Sequence, residues 1–412
     1  ETHVSLLHVF FCLQKYFFIF LTRKFILFLI SKWKMKEHAE KPVTDEYFES
    51  YENLEVHELM LLDSARTGAY RDAILQNCEL IKDKIVMDIG CGTGILSLFC
   101  AQAGAKKVFA IEASNVAKVA EEIATENNFE DVIEVFHGRV EDFRLPADIE
   151  AVDIIVSEWM GFYLVHESML ESYLFARDNF LSKDGLMFPD TASIYTAPCQ
   201  LPQMFELWEE FNGLRMSSFG QRLRAQKSSR PEIMQLDQSQ LLHPGELLAW
   251  IDLKTVTHED VDSIGETFLM LSQDFGNFQG VCIWFECTFP SHGDNLPITL
   301  STGPKDEATH WKQTVIVLPD TSILTVEPNE AMAYELSIKR NPSTARGYTL
   351  QLDQIDADEV DHPIPCDCIL TKCIVLKSHL AKFEGRCDDE EESEEEDENE
   401  VCDNEEEEQP RE

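Results

Sequence analysis

The first readable rhythm of apolar positions is Lys84-Ile85-Val86-Met87-Asp88-Ile89, a short β-branched run that ends in Gly90-Cys91-Gly92-Thr93-Gly94. Ile95-Leu96-Ser97-Leu98-Phe99-Cys100-Ala101 follows and reads as a buried helix stopping at Gly104. The same alternation recurs as a strand over 108–111 ending in Glu112, a helix-like stretch over 116–127, and strands over 132–136 and 152–156. Strands alternating with helices predict an α/β fold with a doubly wound parallel sheet. After Pro189 the helical rhythm stops, and short β-rich runs stand at 192–196, 247–256, 281–288, 298–301 and 314–318. They predict an antiparallel, β-barrel-like second domain. An aromatic and Met-rich insert with Phe205, Leu207, Trp208 and Phe211 interrupts this part over about 201–223.

Composition sharpens the picture at the two ends. With 412 residues, 44% of them hydrophobic, the chain can bury a sizeable core, which excludes disorder throughout. Its formal charge is −42, and residues 388–412 hold 17 acids against Arg411, leaving −26 on the rest. So acidic a body is a poor holder of a phosphate backbone, so nucleic acid is not expected as a direct ligand and cationic partners are favoured. Residues 386–412 cannot bury enough apolar surface to fold and read as a disordered acidic tail. Upstream of the first methionine, Met35, the apolar runs 16–21 and 25–30 are split by Thr22-Arg23-Lys24. Neither reaches the roughly 20 residues a spanning helix needs, so no membrane association is expected and residues 1–34 read as a non-native upstream extension. The 12 cysteines are scattered, several inside apolar runs, as buried reduced thiols of an intracellular protein are. Cys366, Cys368, Cys373 and Cys387 fit no common zinc spacing, and no metal is expected.

The glycine turn says that a ligand approaches the backbone at a strand's carboxyl end. Glu112, 18 positions past Gly94, stands where a carboxylate takes the hydroxyls of an adenosine ribose. A nicotinamide dinucleotide shares that feature, so charge decides. Asp88 at the mouth of the turn is unhelpful to a pyrophosphate but comfortable beside an ammonium or a sulfonium, and S-adenosyl-L-methionine carries both.

The strand over 152–156 runs into Ser157-Glu158-Trp159-Met160-Gly161-Phe162-Tyr163-Leu164-Val165-His166-Glu167, which puts two carboxylates on one loop at the sheet's ligand edge. Glu158, among aromatic neighbours, is expected to be buried, and buried carboxylates want cations. Together with Tyr47-Phe48-x-x-Tyr51, Phe188-Pro189-Asp190 and Thr309-His310-Trp311-Lys312-Gln313-Thr314, this loop closely resembles those of the protein arginine N-methyltransferases, over about residues 45–317. A guanidinium suits a double glutamate because its planar fork of N–H donors pairs with carboxylates in a bidentate way.

The resemblance implies more. Glu158 and Glu167 would clamp the substrate arginine, and His310 paired with Asp63 would help its proton leave. His57, Arg66, Asp88, Gly90, Gly92, Glu112, Val140, Glu141 and Met169 would line the methyl donor, Arg66 taking its carboxylate and Val140 with Glu141 the adenine edge. Tyr51, Met60 and Trp311 would shape the substrate and product space. Met60 and Met169 match the pair of methionines of members that make asymmetric dimethylarginine (type I), and the His-Trp loop agrees. The implied organisation is a helical lid over 35–82, a donor-binding domain over 83–189, and a β-barrel substrate domain over 190–385 whose helical arm at about 201–223 makes a homodimer. Arginine-rich proteins, histone tails among them, are the expected substrates, in nucleus and cytoplasm. The competing reading is a catalytically weak acidic scaffold that binds histones or other basic proteins, though no clamp or donor residue is missing. The stretch 353–382 and the acidic tail match no familiar family ending.

Overall fold

A computed structural model describes residues 51–341, 346–361, 366 and 368–382. The chain divides into two units, 1–47 and 48–412, and every described residue belongs to the second. The expected upstream extension, the start of the lid with Tyr47 and Phe48, Cys387 and the acidic tail lie outside the described residues.

Two helices open the fold, α1 (Leu54–Leu62) and α2 (Ser64–Leu75). Asp63 ends the first and starts the second, its side chain accepting from Arg66 N as an N-cap. After the short α3 (Cys78–Ile81) the parallel sheet begins, with β1 (Ile85–Ile89), α4 (Ile95–Gln102), β2 (Lys107–Glu112), α5 (Ala117–Glu126), β3 (Ile133–His137), β4 (Val152–Ser157), α6 (Leu170–Phe180) and β5 (Leu181–Phe188). The strand order is β3-β2-β1-β4-β5, so the chain winds outward from β1 through β2 to β3 and then crosses back to lay β4 on the other side of β1. Their carboxyl ends flank the switch point, where such sheets bind ligands. β1 and β4 are buried almost throughout, because helices cover both faces of a parallel sheet. Val86, Met87 and Ile155 are fully buried, each worth about 1.5–3 kcal/mol of transfer free energy. The first four strands and the two helices between them fall within a residue or two of the stretches that the apolar rhythm predicts, whereas β5 has no such signal.

Beyond Pro189 the strands among the described residues pair antiparallel, as expected, in three sheets. β6 (Thr191–Cys199), β7 (Glu232–Met234), β8 (Glu246–Asp252), β11 (Gly280–Thr288), β12 (Thr299–Ser301) and β13 (Gln313–Val317) make the largest. β9 (Ser263–Leu271), β15 (Ala331–Arg340) and β16 (Tyr348–Gln354) make a second, and β10 (Gly276–Phe278) with β14 (Leu324–Val326) a third. Helical structure does not stop at Pro189. α7 (Ser217–Lys227) follows a single 3-10 turn, Glu206–Trp208, α8 (His258–Asp262) precedes β9, and α9 runs over 371–382. α7 overlaps the end of the helical arm implied at about 201–223, although its own stretch carries no apolar stripe at helical spacing, since its outer face is polar and only Gly220 and Arg224 are buried. Within the expected arm Phe205 is buried, whereas Leu207, Phe211, Leu214 and Phe219 are exposed.

Candidate active site

The donor side grows out of the turn between β1 and α4. Gly90, Gly92 and Gly94 all have positive φ, a region glycine enters without steric cost. At Gly90 an added Cβ would sit 2.2 Å from Met169 Cε, the movable end of that side chain, so the positive φ is what calls for glycine there. The His57 ring lies against Gly92, and its Nε2 is 2.8 Å from the Tyr51 carbonyl oxygen. Glu112, at the end of β2, accepts from Gly92 N at 2.8 Å and from Ser114 N at 2.7 Å. Each of its oxygens keeps a further lone pair for a hydroxyl. Asp88 is fully buried. Ser97 Oγ donates to its Oδ2 at 2.6 Å, while Oδ1 has no hydrogen-bond partner among the described residues. Burial, opposed by Ser97 and reinforced by the charge of Glu112, pushes its carboxyl up to about 7. A buried acceptor without a donor among the described residues, beside a turn of positive-φ glycines, fits a ligand that brings a cationic donor group. Val140 is buried, and Glu141 accepts from Ser172 Oγ and from Arg139 Nε, both at 3.2 Å.

The carboxylate loop leaves the end of β4, next to that turn. Gly161 and Leu164 form a bridge so tight that a Cβ on Gly161 would meet the His166 carbonyl oxygen at 2.0 Å. Tyr163, Leu164, Glu167 and Ser168 all have positive φ, a strain on the order of 1 kcal/mol or more at each. Such strain is held only where surroundings fix the loop. Here Tyr163 Oη pairs with His166 Nδ1 at 2.9 Å, Trp311 Nε1 donates to Met160 O at 3.1 Å, and Arg346 Nη1 donates to Glu167 O at 3.1 Å.

Glu158 is nearly buried, as expected, but its cation is internal. Arg66 Nε and Nη2 both donate to Glu158 Oε2, at 2.9 and 2.8 Å, and Met160 N donates to Oε1 at 3.1 Å. Arg66 Nη1 also donates to Met60 O at 3.1 Å. The expected donor-carboxylate ligand is therefore tied to the clamp itself, since a carboxylate in so dry a place needs the nearest guanidinium. Glu167 Oε2 accepts from Tyr51 Oη at 2.6 Å. The remaining pair is also made: Asp63 Oδ2 accepts from His310 N at 2.8 Å and lies 2.7 Å from His310 Nδ1. Burial raises the Asp63 carboxyl, but its hydrogen bonds from the His310 ring, Arg66 N and His310 N outweigh that and hold it below the ordinary range. An ionised Asp63 can only accept, which places the proton on Nδ1 and leaves Nε2 as the basic atom.

Sequence reasoning missed several supports. Ser97 sits on the helix after the glycine turn and Tyr163 within the loop, so both lay in view. Arg346 and Tyr348, whose carbonyl oxygen lies 3.5 Å from Tyr163 Oη, come from nearly 180 residues further on and carry no local signal. The described cysteines are free thiols, most of them buried as expected, and Cys366, Cys368 and Cys373 bring their sulfurs within 4.8 Å of one another.

Known families meet this geometry on both sides. The arginine methyltransferase oligomerization subdomain matches residues 190–354, and the ribosomal protein L11 methyltransferase family matches 73–166. A probable protein arginine N-methyltransferase 6.1 of Oryza sativa subsp. indica is 36% identical over 345 residues, covering 76% of this chain and 90% of the relative. The chain belongs to the protein arginine N-methyltransferases. Protein arginine N-methyltransferase 1 of Saccharomyces cerevisiae is likewise 36% identical over 332 residues, covering 78% of this chain and 93% of its own. Among solved structures, the Trypanosoma brucei PRMT1 enzyme-prozyme heterotetrameric complex with AdoHcy superposes with a TM-score of 0.65 at 36% identity, covering 76% of this chain and 98% of that one. The reaction of this arginine methyltransferase is the S-adenosylmethionine-dependent methylation of protein arginine. No helix among the described residues is long and apolar enough to cross a membrane.

Proposed function

We propose that this arginine methyltransferase makes monomethyl and asymmetric dimethylarginine on arginine-rich proteins, histone tails among them, as a homodimer working in nucleus and cytoplasm. The observation that carries the reading is the strained loop that holds Glu158 and Glu167 at the carboxyl end of β4, beside the glycine turn.

The donor supplies a methyl group on a positively charged sulfur when bound. Glu112 would take its ribose hydroxyls, Asp88 its ammonium, Val140 with Glu141 the adenine edge and Arg66 its carboxylate, while His57, Gly90, Gly92 and Met169 would pack around the rest. Bringing a substrate guanidinium near that sulfur costs roughly 4 kcal/mol for two unit charges about 4 Å apart at an effective dielectric of 20. Glu158 and Glu167 offset this repulsion and turn one terminal nitrogen toward the methyl group, so positioning and electrostatics supply most of the acceleration. No strong base is needed to begin. The proton is lost during or after transfer, with His310 Nε2, oriented by Asp63, or Glu167 to receive it. Met60, Met169, Tyr51 and Trp311 bound the space in which a second methyl on the same nitrogen must fit. The exposed Phe211, Leu214 and Phe219 of the arm support the dimer, and the −42 charge supports basic substrates.

The test is label transfer from tritiated S-adenosylmethionine to arginine-rich peptides and core histones, with lysine-for-arginine peptides as controls, followed by separation of the methylarginine isomers. Asymmetric dimethylarginine from the native protein, and at least a 100-fold loss in Glu158→Gln, is the expected result. Symmetric dimethylarginine, or equal label on the lysine peptides, overturns the reading.

A further inference from the structure

Past β16, beyond the last residue of the oligomerization subdomain match at 354, the chain adds a 3-10 turn, Ala357–Glu359, and helix α9 over 371–382. α9 has almost no core of its own. Ile374, Val375, Leu376 and Leu380 are exposed, and Cys373 is the one residue of the helix that is fully buried. Packing therefore supplies little to hold the helix, and what it buries is a thiol facing two other thiols. Cys366 Sγ lies 3.2 Å from Cys368 Sγ, and all three sulfurs fall within 4.8 Å of one another.

We propose that Cys366, Cys368 and Cys373 form a binding site for a soft, closed-shell metal ion, Zn²⁺ or Cu⁺, which fastens α9 to the end of the β domain. The donor set is all sulfur, and thiolates select these ions over hard cations. Three thiolates complete a trigonal Cu⁺ site, or three corners of a tetrahedral Zn²⁺ site whose fourth position takes water or another donor. Cys373 stands in the first turn of α9, and burial with the two neighbouring sulfurs pushes its thiol up, so it becomes a ligand only as a bound ion displaces its proton. Lys377 Nζ donates to Cys368 O at 3.5 Å, and Lys372 Nζ donates to the carbonyl oxygens of Asp358 and Val360 at 2.7 and 2.8 Å, drawing the helix start onto the 3-10 turn. Charge balance is simple: each thiol that becomes a ligand releases its proton to solvent, and no electron is transferred. A disulfide between two of the sulfurs would leave the third thiol without a role, whereas one ion uses all three.

The experiment uses the full chain, stripped with chelator under reductant and titrated separately with Zn²⁺ and with Cu⁺ under anaerobic conditions. Bound metal is measured after gel filtration, released protons are counted in weak buffer, and Co²⁺ serves as a spectroscopic probe. One ion per chain, about three protons released on binding and a sulfur-to-cobalt charge-transfer band are expected, with the tighter of the two titrations naming the ion. Cys366→Ser, at a half-buried position that tolerates a hydroxyl, and Cys368→Ser should each weaken binding at least 100-fold, since loss of even an outer-shell partner costs about 10–100-fold. Methyl transfer by Cys366→Ser should stay at the native level, which separates this site from the catalytic one. Refusal of both ions by the native chain, or binding that both variants leave unchanged, as binding by the acidic tail would be, overturns the proposal.

Discussion

Asp88 offers a prediction whose size follows from the structure. A carboxyl with an ordinary value of 3.8 is pushed up to about 7 in the folded chain, first by complete burial and then by the charge of Glu112, with Ser97 only partly opposing. Below pH 4 the group is protonated in both the folded and the unfolded chain. Between pH 4 and 7 the unfolded chain has lost the proton and the folded chain keeps it, so stability falls as the pH rises. Above 7 both are ionised, and the fold carries the full penalty, on the order of 4 kcal/mol for a displacement of about three pH units. Asp88→Asn cannot ionise. Its amide leaves a buried N–H at the place where Oδ1 has no partner, which adds a constant cost of about 1–3 kcal/mol but no pH dependence. Urea unfolding of both proteins from pH 4 to 8.5 should therefore show the native chain losing up to about 4 kcal/mol relative to the variant across pH 4–7, and a constant difference above. Two curves that stay parallel throughout would refute the reasoning. Because a bound ammonium favours the ionised form, donor binding at pH 6.5 should also release protons, readable by calorimetry in buffers of different ionisation enthalpy.

Other perturbations separate the parts of the site. Glu158→Gln should destabilise the fold by about 3 kcal/mol in urea, because Arg66 is left buried without its carboxylate; unchanged stability would mean that Arg66 finds another anion. Asp63→Asn keeps an N-cap acceptor for α2 but no longer fixes the His310 ring, so a fall in kcat of about 100-fold with KM little changed is expected, together with a shifted pH profile. A purely structural Asp63 would change stability and leave that profile alone. Replacing Phe211 and Leu214 together by Ser should convert dimer to monomer in light scattering while the circular dichroism spectrum stays native, since both side chains are exposed within the single chain.

Most of what positions the reaction was legible because it is local in sequence. The glycine turn, the acid ending β2 and the carboxylate loop ending β4 each occupy a few consecutive residues, and the apolar alternation around them leaves little choice of fold. β5 was hidden by Lys183-Asp184-Gly185 inside it, where polar residues break the β-rich pattern although its end pairs with β4. What sequence cannot show is which charges neutralise one another when two elements meet. Glu158 and Arg66 are 92 positions apart, and nothing in either stretch says that the guanidinium proposed to take the donor's carboxylate also rests on the proposed clamp. That contact couples the two halves of the site. Among the described residues Arg66 is the cation paired with Glu158. If the donor's carboxylate draws the fork away from Glu158, the clamp becomes more negative at the moment a cationic substrate is needed. On this argument donor should bind first, and arginine-peptide affinity should rise when donor is present and lose that rise in Arg66→Lys, whose point charge cannot serve two carboxylates in one plane. Peptide affinity indifferent to donor in the native enzyme would show that Arg66 is a fixed part of the clamp and not its switch.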